Sequence, residues 1–272
     1  MSSPFPLSPG ATTAFGANLA LTAAAVAVLM GATFLIARRR QRHDLVDTAW
    51  GAGFALVALV SAVLSTGHGD PVRTWTAAAL TAVWGVRLSV HIGRRGRGAA
   101  EDPRYTDLLS GGTGGRDARA LRLVYLPQGV LVWAISLPVQ AAAYTPGPVG
   151  GPLFAGVAVW LTGFLFEAVG DAQLSRFKAD PANRGRIMDR GLWSWTRHPN
   201  YFGDACVWWG LYLIAADTWQ GALTLPAPVA MTLLLTAGSG KRLLENRMST
   251  RPGWDAYARR TSGFFPLPPR RE

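Results

Sequence analysis

Residues 15–40 read FGANLALTAAAVAVLMGATFLIARRR, an unbroken run of small and apolar side chains that ends on Arg38, Arg39 and Arg40. Crossing about 30 Å of hydrocarbon takes about 20 apolar residues. This run supplies them before the three arginines halt it at a membrane face. It is too long for a cleavable signal peptide and has no positively charged leader, so it is expected to stay as a helix. Taken as about 15–37, it is the first of seven such stretches; the others lie at about 45–66, 73–93, 121–143, 152–175, 201–216 and 220–240. The sixth is short and follows Trp193-Ser194-Trp195, which either lies at the interface or enters the bilayer as part of a broken helix. The expected fold is all-α: a polytopic membrane protein of about seven transmembrane helices.

Composition agrees. Of 272 residues, 49% are apolar and 16% charged, where a soluble domain carries about 25% charged residues. Lys and Arg number 27 against 16 Asp and Glu, a formal charge of +11. When alternate loops are assigned to alternate sides, 25 of the 27 cations fall on one face, in 38–42, 94–122, 176–197 and 241–271. The exceptions are Arg73, at the edge of an opposite loop, and Arg87, inside a predicted helix. The positive-inside rule places those four segments and the C-terminus in the cytoplasm and the N-terminus outside. Topology accounts for the basicity, and nucleic acid is not expected as a partner; membrane lipids are. A single cysteine, Cys206, excludes an internal disulfide, and the absence of Cys/His clusters excludes thiolate metal sites; no metal is expected. No repeat or pair of broken helices of the transporter kind is visible. Residues 1–14 and 269–272 read as tails around one domain, 15–268. Glycine-rich 111–115 reads as a flexible cytoplasmic connection that lacks the Gly-Lys-Ser/Thr of a phosphate loop.

Ionisable residues inside the predicted spans or at their cytoplasmic ends are Asp47, Arg87, His91, Glu167, Asp171 and Asp204. Each costs on the order of 3 kcal/mol or more at membrane depth and marks a functional site by default. Glu167 and Asp171 share a helix face, as do Arg87 and His91; the alternative is a salt-bridge network that only fixes packing. The densest stretch is 184–204. Pro199 forbids a continuous helix through His198 and starts a new one near Asn200. The free N–H groups of that helix, facing Arg-rich loops, suit a phosphate or another anion. Lipid headgroup binding and helix capping are the structural alternatives.

Arg197-His198-Pro199-Asn200-Tyr201-Phe202-Gly203-Asp204, followed by Glu245-Asn246-Arg247, Trp254-Asp255-Ala256-Tyr257 and Phe264-Phe265-Pro266, resembles the steroid 5-alpha-reductase and sterol-reductase superfamily. More closely, it is similar to the bacterial branch known as DUF1295. Asp47-Thr48-Ala49-Trp50-Gly51, Trp84-Gly85-Val86-Arg87-Leu88, Glu101-Asp102-Pro103-Arg104-Tyr105 and Gly170-Asp171 agree with that branch, and the resemblance covers about 40–268. It implies a seven-helix reductase of the bacterial plasma membrane with NADPH in a cytoplasm-facing cavity. The family's cofactor residues carry over onto Asn200 and Asp204. Asp171, Lys178 and Arg186 fall at the family's spacing for one acid and two bases, Glu167 stands where steroid enzymes have Asn, and His91 stands in place of a Tyr. Arg95-Gly96-Arg97 matches a phosphate-reaching Arg-Gly-Arg. Glu245 and Tyr257 align across a small gap, and Arg197, His198 and Tyr201 of the motif go with the cofactor.

The resemblance also implies hydride transfer to a carbon–carbon double bond conjugated to a carbonyl, in a lipid-like substrate. The steroid enzymes hold that carbonyl with Glu and Tyr; Asp47 is the carboxyl candidate here, and the Tyr position reads Trp84, an N–H donor that does not deliver a proton. The proton donor stays open between Asp47, Tyr105 and water. The rival reading is an S-adenosylmethionine-dependent methyltransferase similar to isoprenylcysteine carboxyl methyltransferases, which share Arg-His-Pro-x-Tyr. A third is a lipid-binding or scaffold protein. Oligomeric state is not readable from the sequence.

Overall fold

A computed structural model of the chain describes residues 9–111, 115–238 and 240–270. It is 76% helix, without strands among the described residues. The helices are α1 (Pro9–Arg40), α2 (Val46–Leu64), α3 (Pro71–Arg95), α4 (Pro103–Leu109), α5 (Arg116–Ala120), α6 (Leu126–Ile135), α7 (Leu137–Ala143), α8 (Gly151–Ala179), α9 (Leu192–Trp195), α10 (Pro199–Ala215), α11 (Trp219–Ala222), α12 (Pro226–Thr236), α13 (Lys241–Met248) and α14 (Trp254–Arg260). A π-helical turn, Leu121–Tyr125, joins α5 to α6.

Among the described residues five helical stretches are long and apolar enough to cross a membrane: Gly10–Arg40, His43–Leu64, Arg116–Ala143, Gly151–Ala179 and Trp219–Met248. The two remaining expected spans form helices but fall short of that standard for physical reasons. α3 is 25 residues long yet carries Arg73, Arg87, His91, Arg94 and Arg95, and α10 has only 17 residues. α1 begins at Pro9, inside the stretch expected as a tail, and residues 1–8 lie outside the described residues. Of the glycine-rich connection, 112–114 also lie outside them. In the expected C-terminal tail the Arg270 N–H donates to the Arg260 carbonyl at 3.0 Å, and 271–272 are not described.

The chain divides into two compact units, Met1–Leu153 with Ile214–Thr224, and Phe154–Leu213 with Leu225–Glu272. In the first, α2 packs along α3, and glycine lets their backbones meet: a Cβ on Gly51 would strike the Gly85 carbonyl, and one on Gly85 the Gly51 carbonyl. Phe54 and Trp84, both fully buried, pack beside this contact at 5.6 Å between rings. α1 is tied on by amide chemistry. Gln140 Oε1 accepts from Asn18 Nδ2 (3.1 Å) and Thr22 Oγ1 (2.8 Å), and Trp133 Nε1 donates to the Leu19 carbonyl (3.0 Å). Such bonds hold membrane helices together where lipid removes the hydrophobic drive between them. The exposed Leu21, Val28, Leu35 and Ile36 of α1 are suited to lipid contact.

Arg73, 1% exposed, closes the other end of this unit. Its guanidinium donates to the carbonyls of Thr145 (3.1 Å), Gly147 (3.4 Å) and Pro148 (3.3 Å) and pairs with Asp217 at 2.5 Å. One side chain thereby satisfies several carbonyls of a connection, 144–151, that is too rich in Pro and Gly to satisfy them by helix formation.

In the second unit α8 and α10 cross at glycines. A Cβ on Gly203 would lie 2.5 Å from the Gly163 carbonyl oxygen and 2.6 Å from the Glu167 nitrogen, and one on Gly210 would lie 2.6 Å from the Gly156 carbonyl. A methyl group does not fit at either place.

Gly203→Ala is therefore expected to force the two helices apart at a cost of about 1–3 kcal/mol, read as a lower apparent Tm in detergent. Gly31→Ala on α1, where a Cβ meets nothing within 4 Å, is the matched control; an equal loss in both would remove close packing as the cause.

Candidate functional site

The second unit assembles the Arg197–Asp204 motif from α8 and the C-terminal segment. Pro199 opens α10, as its missing N–H allows, and packs on Gly170 of α8. That contact sets Asn200 against Asp171, whose Oδ1 accepts from Asn200 Nδ2 at 3.3 Å. Glu167 and Asp171, one turn apart on α8, are both buried, and Asp204 stands one turn beyond Asn200 on α10. Trp193 Nε1 donates to the Gly170 carbonyl at 3.0 Å, which fixes the start of the motif on the same helix.

Arg197 is turned inward. Its Nε donates to Glu245 at 2.9 Å and its Nη1 to the carbonyls of Ala258 (2.9 Å) and Thr261 (2.8 Å), with the guanidinium 5.9 Å from the Trp254 ring. Glu245 also binds His198 Nε2 at 3.0 Å, and the His198 ring stacks on Tyr201 at 5.3 Å. Burial pushes His198 below the ordinary imidazole range against the opposing pull of Glu245, which favours the neutral ring. Tyr257 donates its hydroxyl to the Trp193 carbonyl at 2.8 Å, and burial pushes that hydroxyl up, so it stays a phenol. These contacts of Arg197, His198, Glu245 and Tyr257 run to protein groups and brace the motif against the C-terminal segment.

Beside them lies a cavity of about 430 Å³. Trp193, Trp254, Phe177 and Tyr257 form much of its apolar wall, and Lys178, Arg184, Arg186 and Arg251 supply its positive charge together with the paired Arg197, with Asp180 the one carboxylate in the lining. Arg184, Arg186 and Arg251 form no ion pair with a described residue. Three guanidinium groups without a carboxylate partner beside aromatic rings suit a ligand with several anionic oxygens and a flat ring. Lys178 and Arg186 were expected at such a site. Arg184 and Arg251 were not: Arg184 stood in the sequence only as a neighbour of Arg186, and Arg251 reaches the cavity through the α13–α14 turn, where Gly253 has φ +81°.

The first unit holds the other expected residues. Asp47, in the first turn of α2, accepts the Tyr105 hydroxyl at Oδ1 (2.5 Å) and faces Arg104 Nη2 at Oδ2 (3.4 Å), while Gln128 Nε2 donates to the Tyr105 oxygen at 3.4 Å. Burial, reinforced by the Asp47 carboxylate, pushes the Tyr105 hydroxyl well above its ordinary range, so it holds its proton at neutral pH. Trp84 is fully enclosed in the α2–α3 core. His91 is half-buried on α3, and Arg95 and Arg97 are exposed at and just beyond its end.

A family model described as "Protein of unknown function (DUF1295)" matches residues 33–261. No curated protein and no solved structure matches the chain.

The contrast between the bracing and the unpaired arginines is testable. Arg197→Met should lower Tm by several degrees, since it removes the guanidinium partner of Glu245 and of the Ala258 and Thr261 carbonyls. Arg184→Met should leave Tm within a degree or so yet weaken stabilisation by inorganic tripolyphosphate; the opposite pattern would reverse the two roles.

Proposed function

The chain belongs to the DUF1295 family, and on that premise we propose that it is a membrane-embedded, NADPH-dependent reductase of a carbonyl-conjugated carbon–carbon double bond in a lipid-like substrate. The family places it among membrane proteins of the steroid-reductase-like superfamily, whose members include reductases and methyltransferases. One observation carries the choice between them: the cavity lined by Lys178, Arg184, Arg186 and Arg251. NADPH carries three phosphates, whereas S-adenosylmethionine has none and is itself a cation. The cavity's volume is that of an ordinary ligand pocket, and its donor set fits phosphate oxygens and a stacked base. The proposal includes seven crossings, with the N-terminus outside and the four basic segments in the cytoplasm.

In this reading Arg184, Arg186, Arg251 and Lys178 hold phosphates, and Asn200, Asp171 and Asp204 hold hydroxyl or carboxamide groups. When bound, NADPH supplies the hydride. The chain's own task is the proton. Tyr105 keeps a proton at its hydroxyl, Asp47 and Gln128 orient that hydroxyl from two sides, and Arg104 balances the Asp47 charge. A phenol held this way polarises a carbonyl and gives it a proton as negative charge develops on oxygen. Trp84, enclosed in the core, contributes shape.

Thermal shift of the detergent-purified protein with NADPH, NADH and S-adenosylmethionine tests the reading, because a ligand that binds only the folded state must raise Tm. NADPH is expected to stabilise selectively and Asp204→Ala to lose that stabilisation; a response to S-adenosylmethionine alone would replace the reductase with a methyltransferase. Asp47→Asn and Tyr105→Phe are expected to keep NADPH affinity within about twofold while lowering enone-dependent NADPH oxidation by a factor on the order of a hundred.

A further inference from the structure

His43 is fully buried at the cytoplasmic edge of the first unit, between the end of α1 and the π-helical turn. Both of its ring nitrogens are engaged: Nε2 lies 3.2 Å from Asp117 Oδ1 and Nδ1 lies 3.3 Å from the Tyr125 hydroxyl. Asp117 is the outer member, with 36% of its side chain exposed and Arg38 at 2.9 Å on its other oxygen. Tyr125, 1% exposed, is the inner member. Tyr125 stands in the π-helical turn, a rare geometry that recurs at functional sites, and that turn brings its hydroxyl to the imidazole. One turn further along the same span stands Gln128, whose amide contacts the Tyr105 hydroxyl. An accessible acid, an imidazole hydrogen-bonded at both nitrogens and a buried phenol thus lead inward from solvent, and the helical span that carries the phenol carries Gln128, the partner of Tyr105, one turn further on.

From this we infer that Asp117, His43 and Tyr125 form a proton relay that recharges Tyr105 after each turnover. The inference rests on the reductase reading, in which each cycle consumes one proton: NADPH, a proton and the enone become NADP⁺ and the saturated ketone. Tyr105 gives its proton to the substrate and is left as phenolate. The relay restores it. One proton enters at Asp117, His43 gains a proton at Nε2 and loses one from Nδ1, and the Tyr125 hydroxyl accepts that proton as it passes its own inward. The last step, from Tyr125 to Tyr105, is assigned to bridging water beside Gln128, which contacts the Tyr105 hydroxyl. Between turnovers His43 returns to the starting tautomer by leaving its two partners and exchanging the Nε2 proton for one at Nδ1 with water. No net charge stays in the low-dielectric interior, where an isolated ion is most costly. His43 and Tyr125 are positioning residues in this scheme, acting on substrate only through Tyr105.

Two measurements on the full-length protein in detergent test the relay. Without any ligand, nitrogen NMR of ¹⁵N-histidine-labelled protein, with His43 assigned by its loss in His43→Gln, should show His43 visiting both N–H tautomers. Tyr125→Phe, which removes one hydroxyl and keeps the ring, should lock it in one. A single locked tautomer in the parent protein would overturn the relay, whatever reaction the protein catalyses. In turnover with NADPH and a 3-oxo-4-ene steroid as probe, Tyr125→Phe and His43→Ala should lower kcat by about tenfold to a hundredfold with the KM for NADPH unchanged. Imidazole in the buffer should restore His43→Ala at least severalfold. Parent-like kcat in Tyr125→Phe, or loss in His43→Ala that imidazole does not restore, would overturn it. If the parent oxidises no NADPH with any enone, the reductase reading fails and the tautomer measurement still decides whether the relay exists.

Discussion

The contact on which the second unit depends is the approach of two backbones at Gly163 and Gly203. In lipid no hydrophobic effect drives helix against helix, so close van der Waals packing and carbonyl contacts must do it, and only a residue without a Cβ permits that approach. Because α8 and α10 meet there, Gly170 meets Pro199 two turns further along α8 and one turn back along α10, and Asp171 comes within reach of Asn200. The polar groups of the motif are consequently buried in pairs. A carboxylate or amide left single at that depth would cost several kcal/mol.

The same economy separates the arginines into two kinds. Arg73 and Arg197 are each paired with a carboxylate and at least two backbone carbonyls, Arg73 in the 144–151 connection and Arg197 at the C-terminal end of α14. Arg184, Arg186 and Arg251 stand around a cavity and have no carboxylate partner among the described residues. Equal formal charges therefore do different work. A paired guanidinium holds the chain in place, whereas one facing a cavity without a carboxylate leaves its field directed at whatever enters.

Asp47 shows a comparable division within the first unit. The carboxylate that the family resemblance marked takes its close partner, Tyr105, from the short α4. Chain order hid this partner, because α4 lies some 58 residues from Asp47. The π-helical turn was equally hidden: Leu121–Tyr125 reads as ordinary helix by its side chains, and only its backbone hydrogen bonding distinguishes it.

The sequence by itself determined that the chain is helical with apolar helices long enough to span a membrane, and that a new helix starts beside Pro199, near Asn200. These follow from local causes, namely the length of apolar runs and the geometry of proline. The family was also legible there, since motif order survives in one dimension. Only the tertiary structure decided which arginines brace and which face a cavity, that Arg184 and Arg251 join Lys178 and Arg186, that Tyr105 partners Asp47, and that His43 links Asp117 to Tyr125. Each of these depends on which side chains distant segments bring within about 3 Å, and that is set by how glycine contacts let the helices pack, a geometry no single segment encodes.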